Sequence, residues 1–493
     1  MEKEKTDDKI IDFKVLRRIF IFAQPYLKHF WFLVFLTISL ALLVPARPFL
    51  IQLTIDNEVA NGDFDGLVFM MGILIVLLVA QGIVQYFHTY MSSWLGQFII
   101  RDIRIQLYAH IQRLNLKFFD KTPIGRLVTR NISDIETLAD VFSQGIAMMI
   151  GDLLQLIVIL SLMFYTDWQL TLVSLSTLPI LIFATYIFKE KIKVSFNSVR
   201  TAVSNLNSFV QERITGMNIV QIFNSEETEL AKFKAINKEH KKANIKSVLY
   251  YSVYFPVAEV IQAIGIGLVV WYGAVKMIDA TYQPGVLIAF IMYLQMFFRP
   301  IRMIADKFNT LQLGIVSSNR LIKLLDSKDH IPNEGTFNPT TIEGHVQFKD
   351  VSFAYTDDNY VLKNIDFEVK AGDTIALVGA TGAGKSSIIN LLSRFYDINH
   401  GTIEVDGKDI LTYELDALRR NIGVVLQDVF LFSDSIEKNI TLGNSDIKRE
   451  QVLAAADMVG ARNFIERLPG GLDYNVMERG ATLSVGQRQL ISF

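Results

Sequence analysis

The chain has no cysteine, which excludes disulfide bridges and thiol chemistry. Charge of one sign is missing too: 48 Lys and Arg face 50 Asp and Glu, a formal net charge of -2. Nothing in that balance points to a nucleic-acid partner. No low-complexity segment and no short-period repeat is present. A cleavable signal peptide is not expected, because Met1 to Ile10 is charged and the first apolar run is long enough to stay in a bilayer. The connection after that run, QLTIDNEVANGDFDG, contains Asp56, Glu58, Asp63 and Asp65 but no Lys or Arg.

Apolar residues, by contrast, make up 51% of the chain, and mean hydropathy is positive. They gather in six runs, roughly 29–52, 66–90, 139–165, 168–188, 249–275 and 285–308, each near the ~20 residues needed to cross a bilayer as a helix. Stretches such as GLVFMMGILIVLLVAQGIV carry no charge, which argues against helices buried in a soluble core. Residues 29–326 are therefore expected to form a six-helix membrane domain after a cytosolic segment, 1–28. Arg17, Arg18, Arg101, Arg104, Arg126, Arg130, Lys191, Lys193, Lys241 and Lys242 fall before the first run, between the second and third, and between the fourth and fifth. Positive charge of this kind marks the cytosolic side, so both termini are expected there.

Two of these connections are too long to be turns. Residues 189–248 keep helical apolar spacing on both sides of Gly216, so two helices are expected to reach ~37 Å beyond the membrane at ~1.5 Å per residue. ERITGMNIVQIFNSEE forms the tip, and FFDKTPIGRLVTR, with turn signals at Pro123 and Gly125, forms a second one. After the last run, SKDHIPNEGTFNPTT reads as a linker, assigned to 327–342. Beyond it, from 343 to 493, short β-rich runs (HVQFKDVSFAY, VLKNIDFEV, DTIALVG, GTIEVDG, NIGVVLQD) mix with helical ones. That mixture predicts an α/β nucleotide-binding domain with an added antiparallel sheet.

Within this region GATGAGKSS follows the strand-like Ile375 to Val378 and opens the helix-like IINLLSRF. Gly379, Gly384, Lys385 and Ser386 have the G-x-x-x-x-G-K-[ST] spacing of a phosphate-binding loop. Small residues there let backbone N–H groups cradle phosphate, and a helix N-terminus adds positive potential. The candidate ATP-binding residues are Gly379, Ala380, Thr381, Gly382, Ala383, Gly384, Lys385, Ser386 and Ser387, with Ser386 also a candidate Mg²⁺ ligand.

With Gln427 in VVLQDVFLFS, the ERG at 478–480 and LSVGQRQ at 483–489, these residues follow the order and spacing of an ATP-binding cassette. The whole chain resembles a half-transporter of the ABC exporter class, most similar to bacterial multidrug or lipid exporters. The resemblance implies that Tyr355 stacks on adenine, that Gln427 reaches Mg²⁺ and the attacking water, and that Glu478 and Arg479 belong to a cross-talk loop. It implies further that Leu483, Ser484, Val485, Gly486 and Gln487 face ATP held by a second half-transporter, identical or different. Val485 stands where the family's usual sequence has glycine.

A second departure is the end of the chain at Phe493, before the family's Mg²⁺-binding aspartate, catalytic glutamate and switch histidine; a fragment is expected, inactive in hydrolysis alone. The implied function is ATP-driven export of a drug-like, lipid or peptide substrate from a bacterial plasma membrane. A nucleotide-gated regulator or channel would use the same parts. Arg47, Asp152 with Gln155, and Glu259 with Gln262 are polar positions within apolar runs. Facing lipid would be costly, so they are expected to face the bundle interior or a water-filled cavity, with Asp152, Glu259 and Gln262 as candidate cargo contacts.

Overall fold

In hydrocarbon a backbone must satisfy its own N–H and C=O groups, and an apolar run of bilayer length does so as a helix. The computed structural model describes Arg18, residues 21–140, 147–278, 282–356, 359–427 and 429–493; side chains at 147, 148, 303–309 and 312 are outside the description. The charged segment 1–17 and residues 141–146 of the third expected run also lie outside it. Two units are present. One takes in the described residues up to Leu114 with Phe119–Lys328, the other Asn115–Phe118 with Asp329–Phe493.

In the first unit six helical segments among the described residues are long and apolar enough to cross a membrane. They are built from α1 (Leu27–Leu53), α2 (Phe64–Arg113), α3 (Ala147–Thr166), α4 (Trp168–Leu175) continued by α5 (Leu178–Thr215), α7 (Glu226–Ile278) and α8 (Pro284–Leu325). Between α5 and α7 lies the single short helix α6 (Met217–Ile222). The expected tip at Gly216 is thus real, and the second tip holds the short helices Leu116–Lys121 and Ile124–Thr129 on either side of Pro123.

Proline inside α1 removes backbone donors at 45 and 48, yet the helix runs on into a π-helical turn, Thr54–Val59. Asp56 on that turn is buried and accepts the Gly285 N–H at 2.7 Å. This satisfies one of the orphan donors at the start of α8. A Cβ on Gly285 would sit 2.5 Å from the Gln52 carbonyl oxygen, so only glycine permits the approach.

The helices α5 and α7 are tied along their length. Phe188 stacks on Tyr254 at 4.1 Å, the Thr185 and Tyr254 hydroxyls lie 3.0 Å apart, and the Ser195 and Ser247 hydroxyls 2.8 Å apart. Around them Met163, Leu170, Leu181, Phe290, Tyr293 and Phe298 form the buried core.

The second unit is built on a four-stranded antiparallel sheet in the order β2-β1-β3-β4: β1 (Val346–Ala354), β2 (Tyr360–Val369), β3 (His400–Val405) and β4 (Lys408–Asp409). Phe348 pairs with Phe367 across β1 and β2, their rings stacked at 4.5 Å. The sheet packs with Leu391 of α9 (Lys385–Leu392) in one core. A separate core, including Ile436, Val452, Ile465, Val476 and Ile491, holds the last helix, α10 (Val485–Ser492).

Two expected strands are corrected. Residues 373–380 and 422–426 belong to no ladder among the described residues, and Ile375, Val378, Val425 and Leu426 are exposed. A strand exists by hydrogen bonding to a neighbour, and neither run has one among the described residues.

Candidate functional site

The loop at 379–384 is shaped by its glycines. Gly382 and Gly384 have φ of +86° and +87°, a region that side chains rarely enter. At Gly384 space is also closed: a Cβ would meet Leu362 Cδ2 at 2.6 Å and Val361 Cγ1 at 3.1 Å. The loop therefore backs onto the start of β2 through a residue that must be glycine. Ala383 N–H donates to the Ala380 carbonyl, and α9 starts at Lys385 with its free amides at the loop. The Lys385 ammonium folds over the turn, donating to the carbonyls of Gly379 at 2.7 Å and Ala380 at 2.9 Å. Gly379, Ala380, Thr381, Gly382, Ala383 and Ser386 are exposed.

Tyr355 follows β1 and is brought to this helix. Its hydroxyl lies 2.9 Å from that of buried Ser387, and its ring meets Phe353 and Tyr396 edge to face at 4.7 and 5.1 Å. Ser387 is thereby engaged with Tyr355 and turned inward, whereas Ser386 stays open.

The far end of α9 is held by two arginines that motif reading overlooks. Arg394, buried, donates to the carbonyls of Ile410, Tyr413 and Pro332, and Arg419 donates to those of Ser393 and Arg394. Burial pulls both guanidinium pKa values down from the ordinary arginine range. The only sequence signal for Arg394 is a basic residue just past an apolar helix, and Arg419 lies in the last turn of the helix Leu415–Arg420.

The segment at 483–487 is a helix start. Ser484 Oγ accepts the Gln487 N–H and Gln487 Oε1 accepts the Ser484 N–H, a reciprocal cap. Leu483 is buried in the second core, Val485 is 65% exposed, and Gly486 has open space around it. The branched side chain at 485 therefore disturbs no packing within the chain. Arg479, at φ +55°, has its carbonyl bound by Arg488 at 3.1 Å. Gln427 is exposed at a bend. Among the described residues no hydrogen bond or ion pair joins Gln427 or residues 483–487 to the loop at 379–387.

In the membrane unit a cavity of ≈ 560 Å³ opens between α1, α2, α3 and α8. Arg47, Gln81, Gln85, His88, Asp152, Gln155 and Arg299 give it a polar wall; Leu40, Ala41, Val44 and Met296 give it an apolar one. His88 Nε2 lies 3.1 Å from Thr37 Oγ1. Asp152, Gln155 and Arg47 line this cavity, and Glu259 does not. The buried stripe of α7 runs through Tyr254, Ala258, Ile261 and Gly265, and Glu259, one residue or ~100° from Ala258, falls on the exposed face. Gln262 is half-buried, its Oε1 without a partner, outside this cavity.

Comparison with known proteins adds two family matches. Residues 30–301 match the model described as ABC transporter transmembrane region, and 362–493 the model described as ABC transporter. The chain is 35% identical over 99% of its length to an uncharacterized ABC transporter ATP-binding protein of Bacillus subtilis, YknV, spanning 81% of that protein. It is 30% identical, over 97% of the chain and 80% of the relative, to an ATP-dependent lipid A-core flippase of Syntrophus aciditrophicus. A Staphylococcus aureus ATP-binding/permease protein, described as a candidate multidrug exporter, is 32% identical over 97% of the chain and 84% of its own length.

Proposed function

The chain belongs to the ABC transporter family, and from that premise we propose that it is one half of a dimeric exporter driven by ATP. It is an integral membrane protein. The observation that carries the reading is the union, in one chain, of six membrane-length helices with a glycine-rich loop suited to a triphosphate. We assign 29–326 to the membrane domain, 327–342 to the linker and 343–493 to the cassette, with both termini in the cytosol of a bacterial cell. The relatives named for lipid and multidrug export support a lipid or drug-like substrate, with peptide as the remaining class.

When bound, ATP supplies the phosphoanhydride whose cleavage drives transport. The chain's own residues fit it. Positive φ at Gly382 and Gly384, with no room for a side chain at 384, leaves backbone N–H groups free to meet phosphate oxygen. Lys385 would exchange the carbonyls of Gly379 and Ala380 for that oxygen, a stronger acceptor for an ammonium. Tyr355, its hydroxyl fixed by Ser387, offers its ring to the base. The Ser386 hydroxyl and Gln427 amide oxygen are the hard donors Mg²⁺ requires. Leu483, Ser484, Val485, Gly486 and Gln487 would meet the nucleotide of the partner half, identical or different. Absence of ATP hydrolysis by these 493 residues alone belongs to the same reading, supported by the exposed run leading into the loop, which joins no ladder among the described residues.

The test is ATP-dependent uptake of a lipid or dye probe into inverted vesicles that contain the complete pair of halves. Accumulation against a gradient is expected, and Lys385→Ala should reduce it by about two orders of magnitude while leaving membrane insertion intact. A gated pore can only dissipate a gradient. Equal uptake with and without ATP, or by wild type and Lys385→Ala, would refute the proposal.

A further inference from the structure

The segment read as a linker is not loose where it meets the cassette. Phe337 forms a parallel bridge with Tyr413: its N–H donates to the Thr412 carbonyl at 3.0 Å, and its carbonyl accepts the Glu414 N–H at 2.9 Å. The Phe337 ring meets that of Tyr413 edge to face at 4.9 Å and has the Lys408 ammonium 3.4 Å from its centre. Asn333 Oδ1 accepts the Leu415 N–H, one of the donors left open at the start of the helix Leu415–Arg420. At Gly335 a Cβ would stand 2.1 Å from the Tyr413 carbonyl oxygen, so the chain passes too close for any side chain. Residues 332–337 are thus a strap fastened to the turn 410–415.

Arg394 ties this strap to the helix of the phosphate loop. The end of α9 closes in a Schellman turn, with the Phe395 N–H on the Asn390 carbonyl and the Arg394 N–H on the Leu391 carbonyl, both at 2.9 Å. Residue 394 therefore takes the left-handed position that favours glycine, and Arg394 holds it at φ +49°. Glycine would make the same turn without strain, so the arginine is there for what its side chain does. Buried, its guanidinium donates to the Pro332 carbonyl of the strap at 2.6 Å and to those of Ile410 and Tyr413 in the turn, each at 3.2 Å. One side chain thus grips both sides of the strap contact. The helix behind it is short and stiff, ~12 Å long, with the loop's free amides at one end and Arg394 just past the other.

We propose that Arg394 is a positioning residue that couples occupancy of the phosphate loop to docking of the strap, so that bound nucleotide tightens the strap and a loosened strap weakens nucleotide binding. The inference rests on reading 379–387 as the nucleotide loop. Phosphate at the start of α9 fixes the helix, the helix fixes Arg394, and Arg394 fixes Pro332 against the turn. The strap follows α8, which ends at Leu325, so it is a covalent route between the last membrane helix and the nucleotide loop. Coupling of this kind is reciprocal: each site changes the other's affinity by the same factor.

The experiment follows binding of trinitrophenyl-ATP and hydrogen–deuterium exchange of residues 333–338 in the full chain in detergent. Saturating nucleotide should slow exchange of the strap about fivefold in wild type. Arg394→Gly, which keeps the left-handed turn and removes the guanidinium, should abolish that slowing and weaken nucleotide binding about fivefold. Lys408→Gln, at an exposed position on β4, should weaken nucleotide binding about twofold, and it decides the matter if Arg394→Gly fails to fold. A clamp with a structural role alone would protect the strap equally with and without nucleotide. That result, with nucleotide bound, would overturn the coupling and leave the phosphate loop standing. Wild-type nucleotide affinity in both variants would overturn it as well. Failure of wild type to bind the nucleotide would remove the loop assignment and the coupling with it.

Discussion

Gly384 concentrates in one residue what the phosphate loop needs. Its φ of +87° and the 2.6 Å approach of a virtual Cβ to Leu362 act together, so Gly384→Ala should cost about 1–3 kcal/mol and weaken ATP binding at least tenfold. A nucleotide titration with a thermal melt would check both, and an unchanged melt would contradict the close approach. Asp473 allows a test of different kind. The Arg449 guanidinium, hydrogen-bonded to it at 2.9 Å, holds its carboxyl below the usual carboxylate range. A depressed folded pKa stabilises above the unfolded value, ~3.9, and that stabilisation is lost as pH falls through the lower folded value. Arg449→Ala should therefore lower the melting midpoint near neutral pH, and the two midpoints should converge as pH falls below about 4. A gap that widens on acidification would reverse the sign.

Elements were legible where one signal sufficed. Apolar length alone predicted the six helices, and Gly216 and Pro123 marked the two tips, because bilayer crossing and chain reversal are local demands. Strands at 375–378 and 422–426 were expected from apolar, branched composition, but a ladder depends on a neighbour that composition does not supply. The π turns at 54–59 and 130–134 had no sequence signal either, as an extra residue per turn is decided by packing. The site divides in the same way. Spacing alone marked 379–387 as the candidate phosphate loop, whereas the separation of Asp152 from Glu259 depended on which stripe of each helix is buried. The pairing of α5 with α7 is equally non-local, and it is testable. Ser247→Ala strands the buried Ser195 hydroxyl and should cost about 1 kcal/mol in a denaturant or thermal assay. Replacing both serines with alanine should recover much of that loss, since no polar group is then left without a partner. Additive losses in the double variant would mean that the two hydroxyls act independently.

For the molecule as a whole, the long helices matter as mechanical parts. The helix α7 runs from Glu226, beside the α6 tip, to Ile278 at the other end of the bundle, with Pro256 inside it. At ~1.5 Å per residue that is a rod of ~80 Å, and its partner α5 is one of ~57 Å. The stacked rings and paired hydroxyls between them resist sliding, so the pair tilts together more readily than it shears. A rotation of ~5° about one end of such a rod carries the other by ~7 Å, more than a full turn of helix. The hairpin thus has the geometry of a lever, in which a small tilt at the tip corresponds to a shift of several ångströms at the opposite end.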